Sequence, residues 1–215
     1  MKLKLMSVLA AGLLSAAPSF ANTVTLDFEG VSNSGSINNF YNGGTDIPAN
    51  NTTTATSGVN YGISFGGDAL AFSNDAYTTN YSNAPTNGTI MSAVGSDAAL
   101  NIASGFTGPV SFYYSSIAES QVQVFSGLNG TGSVLGTFSL LNNAQSDCVD
   151  TTFCHWDIAS LNIDGVAKSI QFGTTTYTAG FDNVTVNAVP LPAAGWAMFS
   201  AISGLGVLAR RKRAA

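Results

Sequence analysis

The stretch GPVSFYYSS, residues 108–116, decides how the middle of this chain is read. Val110, Phe112 and Tyr114 alternate with Ser111, Tyr113 and Ser115, so an extended backbone here is apolar on one side and hydroxyl-bearing on the other. Successive side chains point to opposite faces of a strand, whereas a helix would need apolar residues three and four apart. The pattern recurs outward in both directions. SQVQVFSG (120–127) sets Val122 and Val124 against Gln121, Gln123 and Phe125, and TVTLDFEG (23–30) aligns Val24, Leu26 and Phe28. GSVLGTFSL, WDIASLNI, KSIQFGT and GFDNVTVN continue it through residue 187, with the turn-forming clusters GLNGTG, NIDGVA and TTTYTAG between strands. Stretches 33–60 and 73–87, rich in Asn, Thr, Gly and Ser, read as long loops. No segment of 22–188 shows a helical stripe. The expected fold is all-β, an antiparallel β-sandwich of jelly-roll type with about eight or more strands.

Composition agrees. Hydrophobic residues make up 45% of the 215 and charged ones only 9%, so a core is available while the surface must be polar without much charge. Asn, Ser, Thr and Gly fill that role and favour strands and turns over helices. The ends differ from the middle. In MKLKLMSVLAAGLLSAAPSFANT, Lys2 and Lys4 precede an apolar run, and Ser19 and Ala21 supply the small residues of a cleavage site. Residues 1–21 are therefore expected to be a secretory signal peptide. At the far end, the uncharged run 193–209 would span roughly 25 Å as a helix, just short of a hydrocarbon core of about 30 Å. Arg210, Arg211, Lys212 and Arg213 follow it and should remain cytoplasmic, which puts the domain outside. Between the ends, Lys168 stands alone against 12 acidic residues, a formal charge of −11 for 22–188. Such a domain repels phosphate backbones, so nucleic-acid binding is excluded.

The tail, Val189, Pro190, Leu191, Pro192 and Ala193 followed by a glycine-bearing apolar run and the basic cluster, resembles the C-terminal sorting signal of PEP-CTERM proteins in its Val-Pro-Leu-Pro-Ala variant. The plain Pro-Glu-Pro form is not met, since no Glu lies between the prolines. That resemblance implies processing of 189–215 by an exosortase, a membrane-embedded cysteine transpeptidase. It also implies a precursor anchored in the inner membrane of a Gram-negative bacterium, destined for the cell surface or an exopolysaccharide matrix.

Several side chains are candidates for chemistry. In CVDTTFC, Cys148 and Cys154 are expected to form a disulfide in an exported protein. Zinc is the alternative, with His155, Asp147, Asp150 and Asp157 nearby. GISFG (62–66) matches G-x-S-x-G, with Asp97 and His155 downstream of Ser64, the order of a serine esterase. Tyr61, Ile63 and Phe65 nevertheless alternate as a strand with no helix after them, so no catalytic residue is assigned and the chain is read as a non-enzyme. For a ligand, sugar binding calls for an aromatic platform beside amides and hydroxyls. Trp156, Tyr113 with Gln121 and Gln123, and the loop tyrosines Tyr77 and Tyr81 are the candidates. The terminal strands LDFEG and FDNVTV resemble the first and last strands of jelly-roll carbohydrate-binding modules. That resemblance implies a structural Ca²⁺ held by Asp27, Glu29 and Asp182. The function expected is non-catalytic binding of extracellular polysaccharide; a structural or adhesive matrix protein without a defined ligand is the alternative.

Overall fold

A computed structural model of the chain describes residues 22–50, 53–77 and 79–189. The expected signal peptide, the sorting motif from Pro190 onward and the apolar run 193–209 lie outside the described residues. Among the described residues no helix is long and apolar enough to cross a membrane.

The alternating segments all form strands. They are β1 (Asn22–Leu26), β2 (Ile63–Phe65), β3 (Ala69–Ser73), β4 (Thr89–Ala93), β5 (Ala99–Ser116), β6 (Ser120–Phe125), β7 (Val134–Leu140), β8 (Asp157–Gln171) and β9 (Ala179–Ala188). They hydrogen-bond into one antiparallel sheet of nine strands in the order β3-β4-β9-β5-β8-β6-β7, with β1 added to β9 and β2 to β5. In a flat sheet, β5 and β7, three places apart, would stand roughly 14 Å from each other. Yet the Phe112 and Phe138 ring centroids are 4.6 Å apart. The sheet has folded over on itself into a sandwich, and Phe112 sits at its centre against Phe138, Phe172 and Phe181. Val110, Phe112 and Tyr114 are buried, as the alternation requires, and so are Val24, Leu26, Val122 and Val124.

The fold-over is carried by the two long strands. The β5–β8 register slips between Asn101 and Phe106 and again between Phe106 and Gly108. Gly105 (φ 86°) and Gly165 (φ 95°) take left-handed backbone at these bulges, which bend a strand without ending it. NIDGVA is accordingly not the turn the composition suggests. Residues 157–163 and 168–171 belong to one strand, because β5 offers a continuous partner on both sides of the bulge.

The 33–60 loop is more than a connection. Its Ile37, Phe40 and Tyr41 enter the core, and its backbone covers two sheet edges that would otherwise stay unpaired. Ser34 N–H donates to Ala71 O (2.7 Å) and Ile37 N–H to Ala69 O (3.0 Å) on β3. The β2 amides of Ile63 and Phe65 donate to Tyr41 O (3.2 Å) and Asn38 O (2.8 Å).

Candidate functional site: an aromatic cleft between two loops

On β3 the alternation sends Ala69 and Ala71 into the main core and leaves Leu70 and Phe72 on the opposite side. There a second, smaller apolar cluster forms from Tyr81, Ala84, Ile90, Ala144 and Phe153, with Phe72 and Trp156 at its margin. Its open side is a cleft of about 430 Å³, within the volume range of small-ligand sites. Four rings line it: Phe72, Tyr81, Phe153 and Tyr177. Asn33, Ser34, Thr79, Asn80 and Ser92 add amides and hydroxyls, and none of the described lining residues is charged.

Two loops meet to make this wall. Tyr81 stacks on Phe153, with centroids 4.7 Å apart and planes 21° from parallel. The backbones flanking that stack are bonded as well: Phe153 N–H donates to Asn80 O (2.9 Å) and Ser82 N–H to Phe153 O (3.0 Å). Trp156 Nε1–H donates to Ser82 O at 2.8 Å, so the indole braces the loop from below while its ring packs over Gly180. Burial pushes the Tyr81 hydroxyl above the usual tyrosine range, with Ser92 partly offsetting it, so the phenol stays protonated and able to donate. Cys148 and Cys154 form the expected disulfide, closing the ring that carries Phe153; with both sulfurs bonded to each other, they are not zinc ligands.

Tyr177 lies at the mouth, 67% exposed, with φ at 58°. A bulky residue in the left-handed region costs of order 1–3 kcal/mol and persists only where its surroundings impose it. Its N–H is tied to Ala93 O at 2.9 Å, which holds this backbone at the mouth of the cleft. Tyr77, 97% exposed, stands two residues before Thr79 on the same loop.

The other expected residues are placed differently. Tyr113 and the glutamines do not come together, because β8 lies between β5 and β6. Tyr113 pairs with Ile158 and Asp182, while Gln123 pairs with Gln171 at the opposite end of β8, and Gln121 with Ser139. Ser64 sits on β2 opposite Asn101, Asp97 accepts from Gly67 N–H (3.1 Å), and His155 bonds Asp157 Oδ1 (3.3 Å). Among the described residues no hydrogen bond links Ser64, Asp97 and His155, and no nucleophile–base pair is assembled.

Asp27, Glu29 and Asp182 lie towards one end of the β1–β9 pair, where their oxygens accept from backbone N–H groups and from the Thr86 and Tyr41 hydroxyls. Asp182, fully buried, accepts from Thr86 N–H and Oγ1–H through Oδ2, both at 2.9 Å, and from Asn183 N–H through Oδ1 at 2.7 Å. Glu29 Oε1 takes Gly88 N–H (2.8 Å), and Asp27 Oδ1 takes Glu29 N–H (3.2 Å) and the Tyr41 hydroxyl (3.4 Å). Burial lifts Asp182 to a pKa of about 6, Glu29's charge adds to the rise, and the Thr86 and Asn183 hydrogen bonds oppose it. Among the described residues no three His, Cys, Asp or Glu side chains are grouped as a metal-ligand set.

Phe72, Phe153, Tyr177, Asn33 and Asn80 were not singled out by the sequence. The polar loop NDAYTTNYSN and the ring CVDTTFC were both visible, but nothing local told that one docks on the other.

No family model matches the chain, and no curated protein matches it; the resemblance of the tail therefore stands on the residues quoted for it. Solved structures give distant likenesses. A family 6 carbohydrate-binding module from Clostridium stercorarium, solved with cellobiose, aligns at 17% identity over 58% of this chain and 85% of its own, TM-score 0.39. A family 29 carbohydrate-binding module from Piromyces equi aligns at 11% identity over 77% and 89%, TM-score 0.37. The K2 cleaved adhesin domain of Lys-gingipain aligns at 12% identity over 76% and 97%, TM-score 0.42. Scores at this level leave function to be read from this chain's own residues.

Proposed function

We propose that the β-sandwich is a non-catalytic glycan-binding module that takes a segment of extracellular polysaccharide in the Tyr81–Phe153 cleft. The observation that carries this reading is the combination of four rings with five uncharged amide and hydroxyl side chains around one cleft. Sugar rings present apolar C–H faces to aromatic side chains and hydroxyls to amides, which is the chemistry this lining offers. Tyr177 keeps its ring exposed at the mouth of the cleft, and Tyr77 is a second exposed ring on the loop that carries Tyr81. The domain's formal charge of −11 favours glycans without acidic groups, since a uronate or sulfate would find only Lys168 in 22–188.

The proposal includes export: a cleaved 1–21 signal peptide and a 189–215 tail that anchors the precursor in the membrane until an exosortase processes it. Mass spectrometry of the mature termini tests this part. It also includes a structural Ca²⁺ at Asp182, Glu29 and Asp27, which would require those carboxylates to exchange backbone hydrogen bonds for the ion. Its support is the burial of Asp182 beside Glu29's charge, a strain a cation would relieve. A rise in melting temperature in millimolar calcium is expected, and no change would remove calcium from the proposal.

The test of binding is affinity electrophoresis and a glycan array with the purified chain and its Tyr177→Ala variant. Saturable retention by a neutral polysaccharide, weakened in the variant at unchanged melting temperature, supports the reading. Silence from folded protein on every glycan overturns it in favour of a structural or adhesive role.

A further inference from the structure

We infer that the Cys148–Cys154 disulfide positions the cleft, so that the site takes its ligand only while this pair is oxidised. The ligand half of the statement rests on the glycan reading above; the positioning half rests on geometry alone. The ring closed by the disulfide contacts each residue of the 80–83 segment. Besides the Phe153 backbone pair and the Tyr81–Phe153 stack, Ser82 Oγ bonds Thr151 Oγ1 at 2.9 Å. Asn83 Nδ2–H donates to Asp150 Oδ2 and to Cys154 O, both at 3.3 Å. Each of these partners lies between the two half-cystines or is one of them.

The flanks of the ring are anchored independently of the sulfurs. Cys154 and His155 N–H groups donate to Ala144 O at 2.9 and 3.0 Å, and Asn143 is fixed by Ser116 N–H (2.7 Å) and by its own bond to Asp157 Oδ2 (2.9 Å). Between those anchors the chain projects outward, with Val149 93% exposed. Without the covalent closure, the 80–83 segment keeps its ties outside the ring, Trp156 Nε1–H to Ser82 O at 2.8 Å and, next to it, Ala84 N–H to Asn74 Oδ1 at 3.2 Å. Residues 149–153 are left to hold their part of the wall through the hydrogen bonds above and the Tyr81–Phe153 stack alone. Phe153 and Tyr81 belong to the small cluster, not to the main core. Opening the ring therefore loosens the cleft wall and leaves the sandwich folded. Local opening of this kind is expected where few buried contacts hold a segment.

Cys148 is half-buried on the projecting loop, and Cys154 is buried, so the outer sulfur is the one a reductant meets. A small dithiol attacks Cys148 Sγ as the thiolate, releasing the Cys154 thiolate and forming a mixed disulfide. Its second thiolate then displaces Cys148 and closes the reductant's own disulfide. Two electrons and two protons end on the protein as two thiols. A domain built this way is inert toward glycan while reduced and becomes competent once oxidised, which matches a protein read as acting outside the cell.

The experiment compares the oxidised chain, the dithiothreitol-reduced chain and a Cys148→Ser/Cys154→Ser variant. Amide hydrogen exchange and retention in hydroxyethyl-cellulose and galactomannan gels are read for each. On reduction, protection of the Ser82 and Phe153 amides is expected to fall about tenfold or more while β5 and β9 amides hold. Retention should fall about tenfold in step and return on reoxidation. Oxidised Phe153→Ala, with its ring intact, should lose retention too. Unchanged protection at Ser82 and Phe153, equal retention in both redox states, or loss of β5 and β9 protection together with the loop would each overturn the inference. If even the oxidised chain is not retained, the glycan reading fails, and amide exchange alone decides whether the disulfide positions the wall.

Discussion

Asp182→Asn offers a direct probe of the buried carboxylate between β9 and the 74–87 loop. Asp182 is fully buried, and its pKa is raised from 3.8 to about 6, chiefly by burial and further by Glu29. A carboxylate with a raised folded-state pKa binds its proton more tightly in the fold than in the unfolded chain. Its stabilising contribution is complete below the unfolded value and fades as pH climbs through 6. Between pH 8 and pH 5 the folded protein therefore gains about 1.4 kcal/mol from this one group, the equivalent of a tenfold change in proton affinity expressed over that interval. In a domain of this size that corresponds to a rise of roughly 3–6 °C in melting temperature. The assay is differential scanning calorimetry of wild type and variant from pH 8 to pH 5 in chelator, since a cation on Asp182 would lower its pKa and flatten the slope. Groups common to both proteins cancel, so the wild type is expected to gain about 1.4 kcal/mol more than the variant over this interval. Parallel curves, or a wild type that loses stability relative to the variant on acidification, would refute the reasoning that burial outweighs the three hydrogen bonds this carboxylate accepts.

Other perturbations follow from packing. Phe112→Ala removes a fully buried ring that touches three others, and should cost about 3–5 kcal/mol by chemical denaturation at unchanged m-value. Gly180→Ala would drive a methyl to 2.6 Å from Tyr81 Cε1 and 3.1 Å from the Trp156 ring. The expected loss is about 1–3 kcal/mol, accompanied by a change in tryptophan fluorescence; an unperturbed spectrum would mean the indole is not held where the structure puts it. Trp156→Phe keeps most of the ring but removes the Nε1–H donor to Ser82 O. That should cost about 1 kcal/mol and weaken glycan retention by more than stability alone explains.

The strand pattern was legible because burial imposes it residue by residue. Val110, Phe112 and Tyr114 face the core and Ser111 and Tyr113 do not, and the same alternation holds for β1 and β6. NIDGVA misleads for an equally physical reason. A glycine in left-handed backbone serves a reversing turn and a bulge alike, and only the length of the facing strand decides between them. The cleft hides behind the same limit. Ordinary composition for a loop, NDAYTTNYSN, conceals a docking between Tyr81 and Phe153 that depends on a distant ring closed by a disulfide. The cysteines could be paired from the sequence; what the pairing holds in place could not.

Two buried aspartates meet the same limit with opposite outcomes. Asp46 and Asp182 are both essentially inaccessible, and nothing in the residues beside them in the chain tells one from the other. Burial raises both, yet the Asp46 pKa ends below the ordinary value, because hydrogen bonds from Ser32 and Thr56 outweigh it. Those bonds, Thr56 N–H to Oδ1 at 2.6 Å and Ser32 N–H to Oδ2 at 2.8 Å, make the charged form of Asp46 the stable one and pin the 33–60 loop to β1's exit. Asp182 also accepts hydrogen bonds, from Thr86 and Asn183, but there burial outweighs them, and Glu29's charge adds a smaller push in the same direction. The first carboxylate therefore clamps a loop at neutral pH, and the second strains the fold there. Acidification should separate them: the Asp46 contribution, present above the unfolded pKa, disappears only as pH falls through its lowered folded value, after Asp182 has already taken up its proton.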